Sequence, residues 1–384
     1  MTLYRARALM VDDGVITAYV PQVFGDTPIR ITDTIGELPS GPSTGWVMFE
    51  SGATEFPVWT TGAVTAGPEP APEAPDTTGG LRSLLIFYAP LNVINLRYND
   101  DYAAGVMARY DDVVLPTGLE DPASPSYSST VAVMQKVASL NPSTVMWGYI
   151  DTGRSTGNFP LDTLKMQIDQ WMAIGAGGIF CDVIGYAYGV ERSRQNDIIN
   201  YIHSKGVGGI LNVWNPHETL GSQVDPIYNP DGIPTVADAR DVLLLESWVC
   251  NSDAYPDPYY ATFSDLKTRA DIARVYRDTL GIKLFASSII QYTGRTDAQI
   301  EEYRDMSEAL ARVFRMDGSG LAASSYSSTG ADVGLVRPSF SKFQPIPLRP
   351  EAPYILNGTW TEVEAPDLGI LVHFDATTHT WVQR

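Results

Sequence analysis

The chain has 384 residues, more than one ordinary domain needs, and 44% of them are hydrophobic, ample for a sizeable core. Its 45 acids outnumber its 26 bases and leave a formal charge of −19 with no cluster of Lys or Arg, which argues against a nucleic-acid partner and against an anionic membrane surface.

The N-terminus, "MTLYRARALMVDDG", alternates charged and apolar residues. It lacks the apolar core and small-residue cleavage site of a secretory leader, and no stretch approaches the roughly 18 apolar residues of a membrane span. The expectation is a chain made in the cytoplasm without an export signal. Residues 1–62 read as β: "LYRARALMV", "GVITAYVPQVF", "GWVMFESG" and "FPVW" are short runs separated by "DDG", "GD" and "PSGPSTG". Runs at this spacing suggest a small barrel or sandwich. Residues 63–80 form a linker, in which Pro68, Pro70, Pro72 and Pro75 favour extended geometry and the closing glycines restore flexibility.

Residues 81–338 alternate strand and helix. Eight strands are expected, at 83–90, 112–116, 144–151, 177–182, 208–213, 241–247, 282–288 and 318–326. Between them, Leu164, Ile168, Trp171 and Met172 recur at helical spacing, as do Leu266, Ala270, Ala273 and Tyr276. A third such face, Ile300, Tyr303, Ser307, Leu310 and Phe314, follows a capping box at Thr296–Gln299. Eight strand–helix units in this length fit a (β/α)₈ barrel of the TIM type, with a doubly wound open sheet as the rival. In residues 339–384, a Pro-containing connection leads to "GTWTEVE", "GILVHFD" and "THTWVQR", a β meander too small to stand alone.

In a (β/α)₈ barrel the chemistry gathers at the carboxyl ends of the strands. The third strand ends at Asp151, the fourth at Asp182, the fifth at Asn212 with Glu218 in the loop beyond, and the sixth carries Glu246. Two carboxylates across a cleft, one protonated and one ionised, are what glycoside hydrolysis needs, and Asp182 with Glu246 is the expected catalytic pair. Tyr149, Tyr186, Trp214, Trp248 and Tyr292 lie near strand ends, where flat rings stack on sugar faces; with Asp151, Asn212 and Glu218 they are the expected substrate-binding set. Trp147 and Trp171 read as core. No GxGxxG or GxxxxGK is present, so no nucleotide cofactor is implied. With no CxxC or HxxxH and scattered histidines, no metal is expected, and Cys181 and Cys250 read as free thiols, Cys181 facing away from the side of Asp182.

The motifs "WGYIDTG" (147–153), "MQIDQWMAIGAGGIFCD" (166–182), "GILNVWNP" (209–216) and "LLLES" (243–247) resemble, in order and spacing, those of the spherulation-specific glycosidases and the related endo-α-1,4-polygalactosaminidases. The resemblance implies a (β/α)₈ glycosidase acting on galactosamine-containing polysaccharide, with the catalytic acids at Asp182 and Glu246. Where that family pairs Asp with Glu at the end of the fourth strand, this chain has Val183. Either Glu246 or Asp151 supplies the second acid, or substrate and activity have drifted, or the groove binds glycan without cleaving it. "PQVFGDTPIRI" with "GWVMFESGATEFPVW" resembles the OB-like β domain at the front of some bacteriophage minor tail proteins, any other small β domain being the rival. That resemblance implies a place in a virion, at a tail tip or baseplate. The N-terminal domain would meet other tail proteins and the barrel would meet a host surface polysaccharide. Copy number is open, a homo-oligomer included.

Overall fold

The computed structural model describes residues 80–252 and 263–337, together with short strands within 7–49 and 355–383. The chain divides into two compact units, Met1–Glu73 and Ala74–Arg384. In the first, Arg7–Asp12 (β1), Val15–Val20 (β2) and Gly45–Phe49 (β3) form an antiparallel sheet in the order β2-β1-β3. Barrel closure of that unit and the Pro-rich linker lie outside the described residues.

The second unit holds a closed parallel barrel, so the TIM-type fold expected from sequence is the one found. Its strands are Arg82–Ile86 (β4), Asp112–Leu115 (β5), Val145–Asp151 (β6), Gly178–Asp182 (β7), Gly209–Asn212 (β8), Val242–Leu245 (β9), Lys283–Ile290 (β11) and Gly318–Ala323 (β12). Each neighbours the next, and the pairings β9–β11 and β12–β4 close the ring. A two-residue strand, Asn251–Ser252 (β10), adds to the far end of β11. The helices are Asp100–Met107 (α1), Tyr127–Leu140 (α2), Leu161–Ala173 (α3), Arg192–Ser204 (α4), His217–Leu220 (α5), Phe263–Leu280 (α6) and Asp297–Val313 (α7). The capping box is present at the start of α7: the Thr296 hydroxyl accepts from the Gln299 N–H and the Gln299 side chain accepts from the Thr296 N–H.

Strand alternation sorts the side chains into two layers. Leu84, Ile86, Val114, Trp147, Phe180, Ile210, Val242, Leu244 and Phe285 fill the barrel interior. Their strand neighbours, including Leu85, Val113, Ile179, Cys181, Leu211, Leu243 and Leu245, face the helices. Both cysteines are buried and free, and burial pushes the Cys250 thiol up to about 12. The expected helix faces are buried, among them Leu164, Ile168 and Trp171 on α3 and Leu266, Ala270, Ala273 and Tyr276 on α6, except that Met172 and Tyr303 are only partly buried against the core.

Glycines make room for two buried indole rings. A Cβ at Gly148 would overlap the Trp171 ring, and one at Gly178 would overlap Trp147. Trp171 is fully buried, and its indole N–H donates to the Tyr149 carbonyl at 3.0 Å. Trp147 donates to Asp112 at 2.9 Å near the start of β5.

The fifth unit departs from the pattern. Its helix has only four residues, and the chain returns to β9 through the irregular segment 221–241. Arg192, 1% exposed, pins this segment by donating to the carbonyls of Thr219 and Gly221, and to Gln195 Oε1 at 2.6 Å. At its end, His203, Asp238 and Asp241 present metal-type ligand atoms within 4.8 Å of one another, a cluster hidden in sequence by the distance along the chain. Arg240 sits among them: it donates to Asp238 at 2.6 Å and lies 2.9 Å from His203 Nδ1.

The C-terminal residues form an antiparallel sheet of Ile355–Asn357 (β13), Glu362–Ala365 (β14), Ile370–Asp375 (β15) and Thr380–Gln383 (β16). The last three are the expected meander. Ala365, Ile370 and Val372 join the same buried cluster as α7, so the sheet packs on the barrel. No helix among the described residues is long and apolar enough to cross a membrane.

Candidate active site

The alternation that fills the barrel floor also builds the site above it. Tyr88, Tyr149, Asp182, Asn212 and Glu246 stand two positions beyond Ile86, Trp147, Phe180, Ile210 and Leu244, and so share their inward face. Asp182 and Glu246 meet through Asn212. The Asn212 amide nitrogen donates to Asp182 Oδ1 at 2.7 Å and to Glu246 Oε2 at 2.8 Å, so the two oxygens are at most about 5.5 Å apart, the sum of those lengths. The Tyr149 hydroxyl donates to Asp182 Oδ2 at 2.6 Å, and the Tyr326 hydroxyl donates to Glu246 Oε1 at 2.8 Å. Tyr88 rests edge-on against Tyr149 with ring centroids 5.6 Å apart, and its ring lies 5.1 Å from that of Tyr326. Three tyrosines and one amide thus surround two acids.

Electrostatics follow from this enclosure. Burial and the nearby charge of Glu246 push Asp182 up to about 6, against the opposing pull of its donors Tyr149, Asn212 and the Val183 N–H. The Tyr88 and Tyr326 hydroxyls are pushed well above their ordinary range, by burial first and then by the adjacent acids, and so stay protonated, Tyr326 as the donor to Glu246. An Asp182 raised in this way carries a proton in weakly acidic solution, which suits it to the acid role beside a second carboxyl group in one cleft.

Both acids precede a backbone turn of the left-handed kind. Val183 has φ +51° and Ser247 has φ +50°. A β-branched residue in that region is strained, and such strain collects where a site needs a side chain aimed off the strand direction. Each turn is held from outside its strand. Thr152 Oγ1 donates to the Asp182 carbonyl at 2.6 Å, and Arg269 Nη2 donates to the Glu246 carbonyl at 2.9 Å.

The remaining expected residues divide. Trp214 is 57% exposed beyond β8, with the Arg269 guanidinium over its ring at 4.2 Å. Tyr186 stacks on Tyr228, centroids 5.4 Å apart, along the neighbouring loops. Glu218 lies nearby, but its Oε2 accepts the Ala187 N–H at 3.0 Å and so fastens the loop after β7. Asp151 is likewise committed to its own loop: Oδ1 accepts from the Gly153 N–H at 2.9 Å and from the Thr156 hydroxyl at 2.5 Å, and Oδ2 accepts from the Gly157 N–H at 2.9 Å.

Two expected groove residues are in the core instead. The kink at Ser247 turns Trp248 out of the barrel; it is fully buried against Phe314, and its indole N–H donates to the Leu266 carbonyl at 3.1 Å. Tyr292 has the strand parity of Leu284, Ala286 and Ile290, which face the helices, and its hydroxyl donates to the Leu321 carbonyl at 2.8 Å. Tyr255, Tyr259 and Tyr260 lie outside the described residues. Sequence reasoning gave no role in the site to Tyr88, Tyr326 or Arg269, although Tyr326 ends the expected eighth strand. Tyr88 was findable by parity, being two residues past Ile86, whereas Tyr326 reaches Glu246 through positive-φ turns at Ser325, Tyr326 and Ser327 that no pattern announces.

Asn212 is the joint of the site, which makes its removal informative. In Asn212→Ala, Asp182 loses a donor to its ionised form, and its proton affinity rises by about one unit, the equivalent of one charge-assisted hydrogen bond. The basic limb of the pH–rate profile is expected to move up by that amount, while turnover falls about 100-fold. A limb that stays in place would remove Asn212 from the proton bookkeeping.

No family model matches the sequence, and no curated protein does. Solved structures that match include the glycoside hydrolase domain of PelA from Pseudomonas aeruginosa, 12% identical, covering 66% of this chain and 99% of that chain with a TM-score of 0.38. The cellulose synthase subunit Z of Clostridioides difficile is 8% identical and covers 64% of this chain and 92% of its own, with a TM-score of 0.41. The endo-beta-1,4-glucanase Xac0029 of Xanthomonas axonopodis pv. citri is 11% identical and covers 67% and 93%, with a TM-score of 0.38. Each is a likeness of fold alone.

Proposed function

We propose that the barrel is a retaining glycoside hydrolase that cleaves polysaccharide, with Asp182 as acid/base and Glu246 as nucleophile. One observation carries this reading: the two carboxylates share the Asn212 amide, with oxygens at most about 5.5 Å apart. Retaining enzymes hold their carboxyl groups at roughly 5–5.5 Å, whereas inverting enzymes need roughly 6.5–9.5 Å to seat a water between them. The raised proton affinity of Asp182 supports its donation to the leaving oxygen. Glu246, fixed by Asn212 and Tyr326, attacks the anomeric carbon and forms a glycosyl ester; Asp182 then takes a proton from water, which hydrolyses the ester and frees Glu246. Trp214 and the Tyr186–Tyr228 stack offer ring faces for neighbouring sugars.

The finer reading draws on sequence resemblance. Galactosamine-containing polymer is the proposed substrate. A phage tail is the proposed setting, with the N-terminal unit attached to other tail proteins and the barrel directed at a host surface polysaccharide. A second reading, a receptor-binding groove that holds glycan without cleaving it, is favoured by Val183 in the place of a family acid.

A reducing-end assay on host surface polysaccharide and on α-1,4-polygalactosamine separates the two. The wild type is expected to release new ends with retained anomeric configuration by NMR, and Glu246→Gln to release none. Saturable binding without new ends would replace the enzyme reading with the receptor one.

A further inference from the structure

We propose that Arg269 is a positioning residue that ties a sugar-stacking face of Trp214 to the orientation of Glu246, an inference that rests on the glycosidase reading. Arg269 lies in α6 and is 8% exposed. Its guanidinium covers one face of Trp214 at 4.2 Å, and its Nη2 holds the Glu246 carbonyl at 2.9 Å. Its Nε is buried and has no hydrogen-bond partner among the described residues. Burial draws its pKa down to about 10 against the opposing charges of Glu246 and Asp265. A buried cation without a hydrogen-bonded carboxylate is costly, and an apolar side chain of the same size would pack more cheaply. The position therefore points to a use beyond packing.

The geometry supplies one. Trp214 is 57% exposed, so one ring face stays open while the guanidinium covers the other. It lies two residues past Asn212, whose amide holds both acids. An open indole face beside a cleft suits the apolar face of a pyranose. The carbonyl gripped by Arg269 belongs to the residue just before Ser247, whose left-handed turn aims Glu246. A sugar on Trp214 and the carboxylate of Glu246 thus bear on one guanidinium from two sides.

The test has one arm without substrate and one with it. Full-length protein carrying 5-fluorotryptophan is examined by fluorine NMR, with the Trp214 resonance assigned through Trp214→Phe. Arg269→Met, which keeps the bulk, is expected to shift and broaden that resonance. On α-1,4-polygalactosamine, Arg269→Met is expected to lower kcat and raise KM, each by about 10-fold, because both the stacking face and the nucleophile lose their anchor. Trp214→Ala should raise KM alone. Arg269→Lys keeps a cation near the ring but not the planar fork, and should recover KM more than kcat. An unmoved Trp214 resonance, or an unchanged kcat in Arg269→Met, would overturn the inference. A wild type that releases no ends overturns the glycosidase reading instead, and the fluorine arm reads the Arg269 contact independently of it.

Discussion

Asp182→Asn is expected to lose turnover by at least about 10³-fold and, at neutral pH, to be more stable than the wild type. The two effects share one cause. Asp182 has a folded pKa of about 6, above its ordinary value of 3.8, because burial and Glu246 oppose its charge. An acid whose folded pKa is raised weakens the fold where it is ionised. The penalty is absent below about pH 4, grows as pH rises toward 6, and is complete above that. A displacement of about two units corresponds to about 3 kcal/mol, so relief of about 1–3 kcal/mol is expected from a neutral amide of the same shape. The amide also keeps the local bonds: its oxygen accepts from Asn212 and the Val183 N–H, and its nitrogen donates to the Tyr149 oxygen, which turns from donor to acceptor. Urea unfolding at pH 7 and at pH 4 checks the sign, since the advantage of the variant should shrink toward zero at the lower pH. An advantage that does not change with pH would mean that ionisation of Asp182 is not its source. In the pH–rate profile, the basic limb near about 6 should vanish with the acid, leaving a flat residual rate.

Much of this site was legible because strand alternation is rigid. Once "GGIFCD", "GGILNV" and "DVLLLES" are strands, Asp182, Asn212 and Glu246 must share a face with Phe180, Ile210 and Leu244, and the barrel order sets them side by side. Alternation fails where the backbone leaves the strand. Trp248 has the parity of Glu246, yet the left-handed Ser247 stands between them and sends the indole into the core. Tyr326 reaches Glu246 through three such residues in succession. Positive φ at Val, Ser and Tyr has no compositional signature, unlike the glycine that usually marks it. Asp151 shows a different limit. Its place at a strand end was correct, but its hydrogen-bond partners are Gly153, Thr156 and Gly157 of its own loop, so a carboxylate that reads as available is already used. Arg269 was missed because the sequence places it in a helix, and nothing along α6 says that its guanidinium turns back across the end of β9.

Gly148→Ala is expected to destabilise the barrel by about 2–3 kcal/mol and to lower turnover about 10-fold, an effect on chemistry from a residue that touches no acid. The added methyl has no space: its Cβ would overlap the indole of Trp171, which is fully buried between β6 and α3. Either the ring or the strand must move. If the ring moves, its N–H leaves the Tyr149 carbonyl; if the strand moves, Tyr149 goes with it, and the Tyr149 hydroxyl is the 2.6 Å donor to Asp182. The pairing of a glycine with the following tyrosine in the third strand, and of a tryptophan in the next helix, is thereby one device: the glycine seats the ring that braces the tyrosine. Trp171→Ala should cost about 3–5 kcal/mol through the cavity it leaves. A cycle with Trp171→Leu separates this account from general strand strain. Leucine vacates the space the methyl needs, so Gly148→Ala should cost about 1–2 kcal/mol less in the Trp171→Leu background than in the wild type. Additive costs would place the strain in the strand itself and detach Trp171 from the positioning of Tyr149.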